Sequence, residues 1–416
     1  MAASFSSIAA RAAQDPDFFS RRINSGLDHG PKTHRGSVLL VSRAINKASV
    51  QVRTNDYLSI ANNERIINAE INYLRQSGHG EAISRVFTHK EENQHRAFER
   101  RIAKLLQAED AVTCMSGYCA NIGLIQAIAA PETPIYIDMM AHASLWEGVN
   151  AARATARPFL HNNPGHLERQ LREYGPGIVV VDAVYSTNGA LCPLADIVEV
   201  SERYGCVLVV DETHSFGAQG PRGAGLTVAL GLADRVHFRT VGLSKAVASR
   251  GGVVVGSARN MEFFRYEAYP MIFSTSVLGH EVAGFEAALD IIETEEWRRT
   301  RLHRNHAVLR AGLDDLGYNV DNCDTQILSL EAGLEADVKR LRDALEENDV
   351  FGSVFCAPAT PKKRALVRFT VNASLTDEQI QHVLSACARI RTEVGMAGWA
   401  STRRRKGYRS MEVAAE

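Results

Sequence analysis

Two residues draw notice by type and spacing. Asp211 closes the apolar run Cys206-Val-Leu-Val-Val-Asp211, and Lys245 lies 34 positions further on, just past a second apolar run, Val236–Thr240. A carboxylate at the end of a buried strand is costly unless a cation or a hydrogen-bond donor meets it. Asp211 therefore reads as a helix N-cap or a ligand for a structural cation, or else as the partner of a protonated pyridine nitrogen. Lys245 stands among small residues in Gly242-Leu-Ser-Lys245-Ala, with Arg250-Gly251-Gly252 opening the next run. One reading is a surface lysine whose stem covers the sheet edge. The other is a partly buried amine with a lowered pKa, as an imine-forming nucleophile needs. An acid and a lysine at neighbouring strand exits suit pyridoxal 5′-phosphate (PLP), whose protonated ring accepts electrons from a carbanion.

Three smaller features fit the same cofactor. Ser116-Gly117-Tyr118 follows the run Ala111–Cys114 and opens a helix, where free backbone amides beside a glycine suit a phosphate. His142, in Ala141-His142-Ala143-Ser144, follows Ile135–Asp138 and is placed to lie on a cofactor ring, although a lone histidine is more often packed or solvated. His214, three residues after Asp211, is a hydrogen-bond candidate for the cofactor's phenolic oxygen or simply a turn histidine.

Such residues need strands that end together. Short runs rich in Val and Ile occur at Ala111–Cys114, Ile135–Asp138, Ile178–Val184, Cys206–Asp211, Val236–Thr240 and Val253–Val255. Segments of helical spacing lie between them, such as Asn121–Ala130, Leu167–Tyr174 and Leu194–Tyr204. This alternation predicts an α/β fold with a mostly parallel sheet covered on both faces, and ligands at the carboxyl ends of its strands. Residues 1–60 read as a polar arm with a strand-like Ser49–Val52, and 61–281 as the large domain. Residues 282–396 read as a smaller C-terminal α/β domain, with a long helix over Val282–Leu316, a strand Ile327–Leu330, a helix Ala336–Asn348, a strand Leu366–Val371 and a helix Asp377–Val394. A tail, 397–416, follows.

Composition bounds the partners. The 416 residues carry 47 Lys plus Arg against 48 Asp plus Glu, so no global field draws nucleic acid or an anionic membrane. The run Arg403-Arg404-Arg405-Lys406 reads as a solvated end. Seven scattered cysteines without a CxxC pair suit reduced thiols in the cytoplasm. Met1 to Phe19 lacks the apolar core of a secretory signal, and no apolar run approaches a membrane span. No G-x-G-x-x-G follows a strand, and His and Cys lack metal-ligand spacing, so neither a dinucleotide nor a metal is expected.

Taken together, Asn55-Asp-Tyr-Leu, Ser116-Gly-Tyr, Ala141-His-Ala-Ser, Asp211-Glu-Thr-His-Ser, Ser244-Lys245 and Phe273-Ser-Thr-Ser resemble the α-oxoamine synthases, fold-type-I PLP transferases. Members include 8-amino-7-oxononanoate synthase, glycine C-acetyltransferase, 5-aminolevulinate synthase and serine palmitoyltransferase. Ile135-Tyr-Ile-Asp-Met-Met-Ala-His-Ala-Ser-Leu-Trp146, His161-Asn-Asn, Tyr185-Ser-Thr and Phe351–Thr360 are most similar to the autoinducer synthases that make long-chain amino- or hydroxyketones for quorum sensing.

That resemblance implies a homodimeric acyltransferase that condenses acyl-CoA with a small amino acid or S-adenosylmethionine, releasing CoA and CO2. It implies Lys245 as the lysine bonded to the cofactor and as base, Asp211 on the ring nitrogen and His142 stacked on the ring and donating a proton. His214 and Ser186 would sit at the oxygen side, and Gly117 and Tyr118 at the phosphate. Ser274 and Thr275 would reach the neighbouring subunit's phosphate, while Asn55 and Arg368 would hold the substrate carboxylate. A family member of primary metabolism is the alternative; a non-catalytic subunit of the same fold is disfavoured by the presence of Lys245. The sequence departs from the family at Gly242, where a phosphate-binding Thr or Ser is usual and for which Thr240 or Ser244 might substitute. It departs again at Asn188, usually an acid, and in the glycine-poor Ser77–Ser84.

Overall fold

A computed structural model of the protein describes residues 16–29, 42–80, 83–88, 90–357 and 359–404. The first strand is β1 (Val50–Gln51). A seven-stranded sheet follows from β2 (Asp110–Cys114), β3 (Pro134–Asp138), β4 (Thr155–Phe159), β5 (Ile178–Asp182), β6 (Val207–Asp211), β7 (Phe238–Gly242) and β8 (Gly252–Gly256), ordered β2-β8-β7-β6-β5-β3-β4. β8 runs antiparallel to both neighbours and the other pairings are parallel. Continuous burial along β2 and β5 is what a sheet covered on both faces demands. Helices Gly117–Ile128, Ala143–Ala151 and Ala258–Glu267 bring buried side chains to one face. Pro164–Tyr174 and Leu194–Arg203 do so on the other.

The six strands of this sheet expected from sequence are present with ends shifted by one to two residues, and β4 is additional. Its residues Thr155-Ala-Arg-Pro-Phe are largely exposed, and Pro158 is tolerated because β4 is an edge strand. His142 proves to be the N-cap of helix Ala143–Ala151, which too short an apolar stretch had hidden. The long helix expected over Val282–Leu316 is two helices, Gly279–Thr294 and Glu296–Asp315. They part at Glu295, whose backbone leaves the helical region and whose carboxylate is tied to Arg65 at 2.9 Å and Arg298 at 2.9 Å. Helix Asp17–His29 lies within what read as a polar arm.

A three-stranded antiparallel sheet, β9 (Ile327–Gly333), β11 (Ser353–Phe355) and β12 (Ala365–Thr370) in the order β11-β12-β9, forms the C-terminal part with helices Glu335–Glu347 and Asp377–Ile390. The short β10 (Val350–Phe351) pairs in parallel with β1. The Thr370 amide donates to the Val52 carbonyl and the Ala373 amide to that of Tyr57, fastening residues 50–60 to this part. One cluster of buried side chains runs from Val253 and Val255 through Phe285 and Leu289 to Leu328 and Val367. The sequence division at 281/282 thus falls inside helix Gly279–Thr294, which packs on helices Glu64–Ser77 and Gln94–Leu105. Arg404 pairs with Glu331 at 2.7 Å, while Arg405 and Lys406 lie outside the described residues. Among the described residues no helix is long and apolar enough to cross a membrane, and no three His, Cys, Asp or Glu are grouped to hold a metal ion.

Phe285 is fully buried, with its ring 5.4 Å from that of Phe98. Phe285→Ala is expected to lower stability by about 3–5 kcal/mol, read from the urea midpoint of the cofactor-free protein.

Candidate active site

Asp211 ends β6 beside Thr240 of β7 and Asp182 of β5, all at the carboxyl edge of the sheet. Its Oδ1 accepts the Thr213 amide at 2.8 Å and its Oδ2 accepts Asn121 Nδ2 at 2.7 Å. Both oxygens are met, as burial requires, and the carboxylate lines a cavity of about 200 Å³ together with Lys245, His142 and His214. Lys245 lies three residues beyond the end of β7. Burial pushes its ammonium below the ordinary amine value and the Arg368 guanidinium adds to this, while Asp211 acts in the opposite sense. Among the described residues no ion pair holds its charge. A lysine so placed is a better nucleophile and base near neutral pH than a solvated one.

A second layer fixes these groups. Asp182 takes the backbone N–H of His142 on its Oδ2 at 2.9 Å. Burial, and next the Asp211 charge, raise its carboxyl well above the usual range. His142 Nδ1 lies 2.7 Å from Ser144 Oγ, which accepts Asn121 Nδ2 at 2.8 Å. His214 is buried, its Nδ1 2.5 Å from the Tyr57 hydroxyl, and its carbonyl accepts Gln326 Nε2 at 2.7 Å. Burial keeps its imidazole well below the ordinary value, with Lys245 and Arg368 as further causes, and burial pushes Tyr57 up to about 12. Arg368 donates to the Ser186 carbonyl at 2.8 Å and to Asn55 Oδ1 at 3.0 Å, and its guanidinium lies 4.5 Å from the Phe355 ring centroid. Its Nε is buried without a partner, a donor left for a ligand.

Close packing accounts for the glycine at 242. A Cβ on Gly117 would stand 2.8 Å from Gly242 Cα, and one on Gly242 would stand 2.8 Å from Thr213 Cγ2. The two glycines let the start of helix Gly117–Ile128 close against β7, and Thr213 fills the space a side chain at 242 would take. Thr213 Oγ1 accepts the Gly242 amide at 2.8 Å, which leaves its own hydrogen for the cavity it lines. Thr240 does not substitute, because its hydroxyl is committed to Asn121 Oδ1 at 2.6 Å; Ser244 does line the cavity. A glycine cradle with free helix-start amides, a buried carboxylate and a lysine without an ion pair together fit PLP.

Not every expected residue meets in this cavity. Ser274 bonds to the Pro270 carbonyl and lies 3.3 Å from Met115 Sδ, and neither it nor the exposed Thr275 lines the cavity of its own chain. Ser186, Asn55 and Arg368 do not line it either; Ser186 lines a second cavity of about 460 Å³, and Arg368 joins the Ser186 carbonyl to Asn55. That cavity shares His142 with the first and is walled by Met139, Trp146, Phe355 and Pro361. Asn121, Ser144, Asp182, Thr213 and Tyr57 were missed as site residues. Asp182 carries the same signal as Asp211, an acid closing a wholly apolar strand, and Asn121 lies one helical turn beyond Gly117.

A family model described as aminotransferase class I and II matches residues 50–387. The chain is 42% identical over 349 residues to the CAI-1 autoinducer synthase of Vibrio campbellii, with 84% of this chain and 88% of that one covered. It is 30% identical over 352 residues to 8-amino-7-oxononanoate synthase 1 of Bacillus subtilis, with 83% and 88% covered. A solved serine palmitoyltransferase holding PLP as its internal aldimine matches with a TM-score of 0.79 at 28% identity, over 83% of this chain and 88% of that one.

Gly242→Ser is expected to weaken PLP affinity at least tenfold by displacing Thr213, and Gly242→Ser with Thr213→Ala to regain most of it, as read by fluorescence titration of the cofactor-free protein. Below about pH 6.5 the unfolded chain protonates His214 while the folded chain does not, so stability falls with falling pH by at most about 1.4 kcal/mol per unit. His214→Gln is expected to flatten that fall in urea midpoints measured across the same range.

Proposed function

We propose a reaction for this chain from one premise: it belongs to the aminotransferase class I and II family, as an α-oxoamine synthase. It is a PLP-dependent acyltransferase that condenses an acyl group with an amino-acid-type substrate in the synthesis of an autoinducer. We assign the acyl donor as a long-chain acyl-CoA, the amino substrate as a small amino acid or S-adenosylmethionine, and the product as a long-chain aminoketone. With an amino acid, a bond forms between its α-carbon and the thioester carbonyl carbon, and CoA leaves as the thiol. The bond to the carboxylate then breaks to release CO2, and a proton takes its place.

The observation that carries this reading is Lys245 facing Asp211 in a cavity that adjoins a second, mainly apolar one. Bound PLP supplies the electron sink for a carbanion at the amino-bearing carbon. Asp211 holds the proton on the ring nitrogen. Lys245 Nζ would hold the cofactor and is the base placed to take the α-proton. Arg368 and Asn55 grip the substrate carboxylate, an arrangement supported by the fork of Arg368 and its buried, unpartnered Nε. His214 and Ser186 would border the oxygen side of the ring, and His142 would be the donor to the acyl carbonyl. Met139, Trp146 and Phe355 exclude water from the acyl chain.

The active unit in this reading is a homodimer in which Ser274 and Thr275 serve the neighbouring site. The exposed rings of Phe87, Tyr269 and Phe273 support it by offering apolar surface, two of them beside those residues. Six buried or half-buried cysteines outside any disulfide, Cys114, Cys119, Cys192, Cys206, Cys323 and Cys387, support a cytoplasmic location.

Lys245→Ala is expected to abolish the visible absorbance of lysine-linked PLP; wild type saturated with PLP and lacking that band would refute the assignment. CoA release assayed across acyl lengths with glycine, alanine, serine, 2-aminobutyrate and S-adenosylmethionine should favour long chains. Preference for glycine with a short acyl-CoA would return the enzyme to primary metabolism. Arg368→Lys is expected to raise KM for the amino substrate roughly tenfold with a smaller change in kcat.

A further inference from the structure

We propose that Asn121 is a positioning residue that ties the orientation of Asp211 to the tautomer of His142, so that His142 presents an N–H, and not a lone pair, to the active-site cavity. This rests on the PLP reading above only for the meaning of that cavity; the hydrogen-bond pattern stands without it.

Asn121 sits in the first turns of helix Gly117–Ile128 and is 2% exposed. Its side chain is fully used. The two amide hydrogens go to Asp211 Oδ2 at 2.7 Å and Ser144 Oγ at 2.8 Å, and Oδ1 accepts the Thr240 hydroxyl at 2.6 Å. The alternative amide orientation would turn Oδ1 toward an Asp211 oxygen and Nδ2 toward a hydroxyl that has no other acceptor within reach. The carboxylate therefore decides which way Asn121 points.

That decision passes outward. Ser144 Oγ accepts from Asn121, so its own hydrogen is free to point at His142 Nδ1, 2.7 Å away. The Ser144 backbone N–H approaches the same nitrogen at 3.3 Å. With two donors directed at it, Nδ1 carries the lone pair, and in the neutral ring the hydrogen lies on Nε2. The Asp182 carboxyl accepts the His142 backbone N–H at 2.9 Å, so the residue is held at its main chain as well as at Nδ1. The group that steadies the ring nitrogen of the cofactor and the group placed to donate to the acyl oxygen are thus set by one amide. A buried asparagine serving only to fill space would need none of these polarities to agree.

The test uses the full-length protein freed of cofactor and labelled with nitrogen-15 at histidine, the His142 resonances being identified by their loss in His142→Gln. Wild type is expected to show a pyridine-type Nδ1 and a pyrrole-type Nε2. Ser144→Ala and Asn121→Leu are each expected to produce a mixture of tautomers, although Asn121 does not touch His142, and Ser144→Thr to restore the wild-type pattern. In the holoenzyme, Asn121→Leu should shift the pH midpoint of the cofactor absorbance while Ser144→Ala leaves it in place. Both should lower kcat roughly tenfold or more with little change in KM. A wild-type His142 with its hydrogen on Nδ1 overturns the proposal. So does a tautomer that responds to Ser144→Ala but not to Asn121→Leu. Because Ser144→Ala removes one oxygen, it remains readable if Asn121→Leu fails to fold. Absence of the cofactor band in wild type would instead count against the PLP assignment and leave the tautomer result intact.

Discussion

The site is organised by the cost of leaving carboxylates at the ends of buried strands. β3, β5 and β6 each finish in an aspartate, and they are adjacent in the sheet. Their surroundings give them different characters. Asp138 is met by the amides of Met140 and Asn162, the Tyr185 hydroxyl and His161, and serves to pin the loops around it. Asp182 has the His142 amide and an apolar setting that raises its pKa. Asp211 has Thr213 and Asn121 and faces the cavity. One residue type thus yields an anchor, a buried brace and a carboxylate that faces the cavity.

Lys245 and Arg368 carry positive charge with no ion pair among the described residues. Burial lowers the pKa of both Lys245 and Arg368, and the contacts of Arg368 are to a carbonyl, an amide oxygen and an aromatic face. Charge left in this condition is stabilised by whatever anion arrives. A phosphate and a carboxylate, the two anionic parts of the bound cofactor and substrate, meet that requirement.

Much of this was legible in the sequence because it is local. Asp211 and Lys245 announce themselves as polar residues at the exits of apolar runs, and the alternation of runs and helical segments gives the sheet. The boundary runs of β2, β5 and β6 were legible for the same reason. What was not legible depends on contacts between distant segments. β4 has no apolar pattern because it is an edge, and Glu295, where the helices part, is paired with Arg65, 230 positions away. Gly242 read as a loss from the phosphate site until Thr213, from the neighbouring strand exit, was seen in the space beside it. Tyr57 lay in a quoted motif, yet nothing in its neighbours along the chain pointed to His214.

The fastening of residues 50–60 has a mechanical consequence. Val52 and Tyr57 are tied by backbone hydrogen bonds to β10, β12 and the loop after it, and Arg368 lies on β12 itself, bonded to Asn55. Tyr57, by contrast, bonds to His214 on the large sheet. Asn55 and Arg368 therefore move with the C-terminal part, which Tyr57 to His214, Gln326 to the His214 carbonyl and Arg368 to the Ser186 carbonyl hold against the large sheet. A hinge at this junction would carry both residues together and load all three bonds at once.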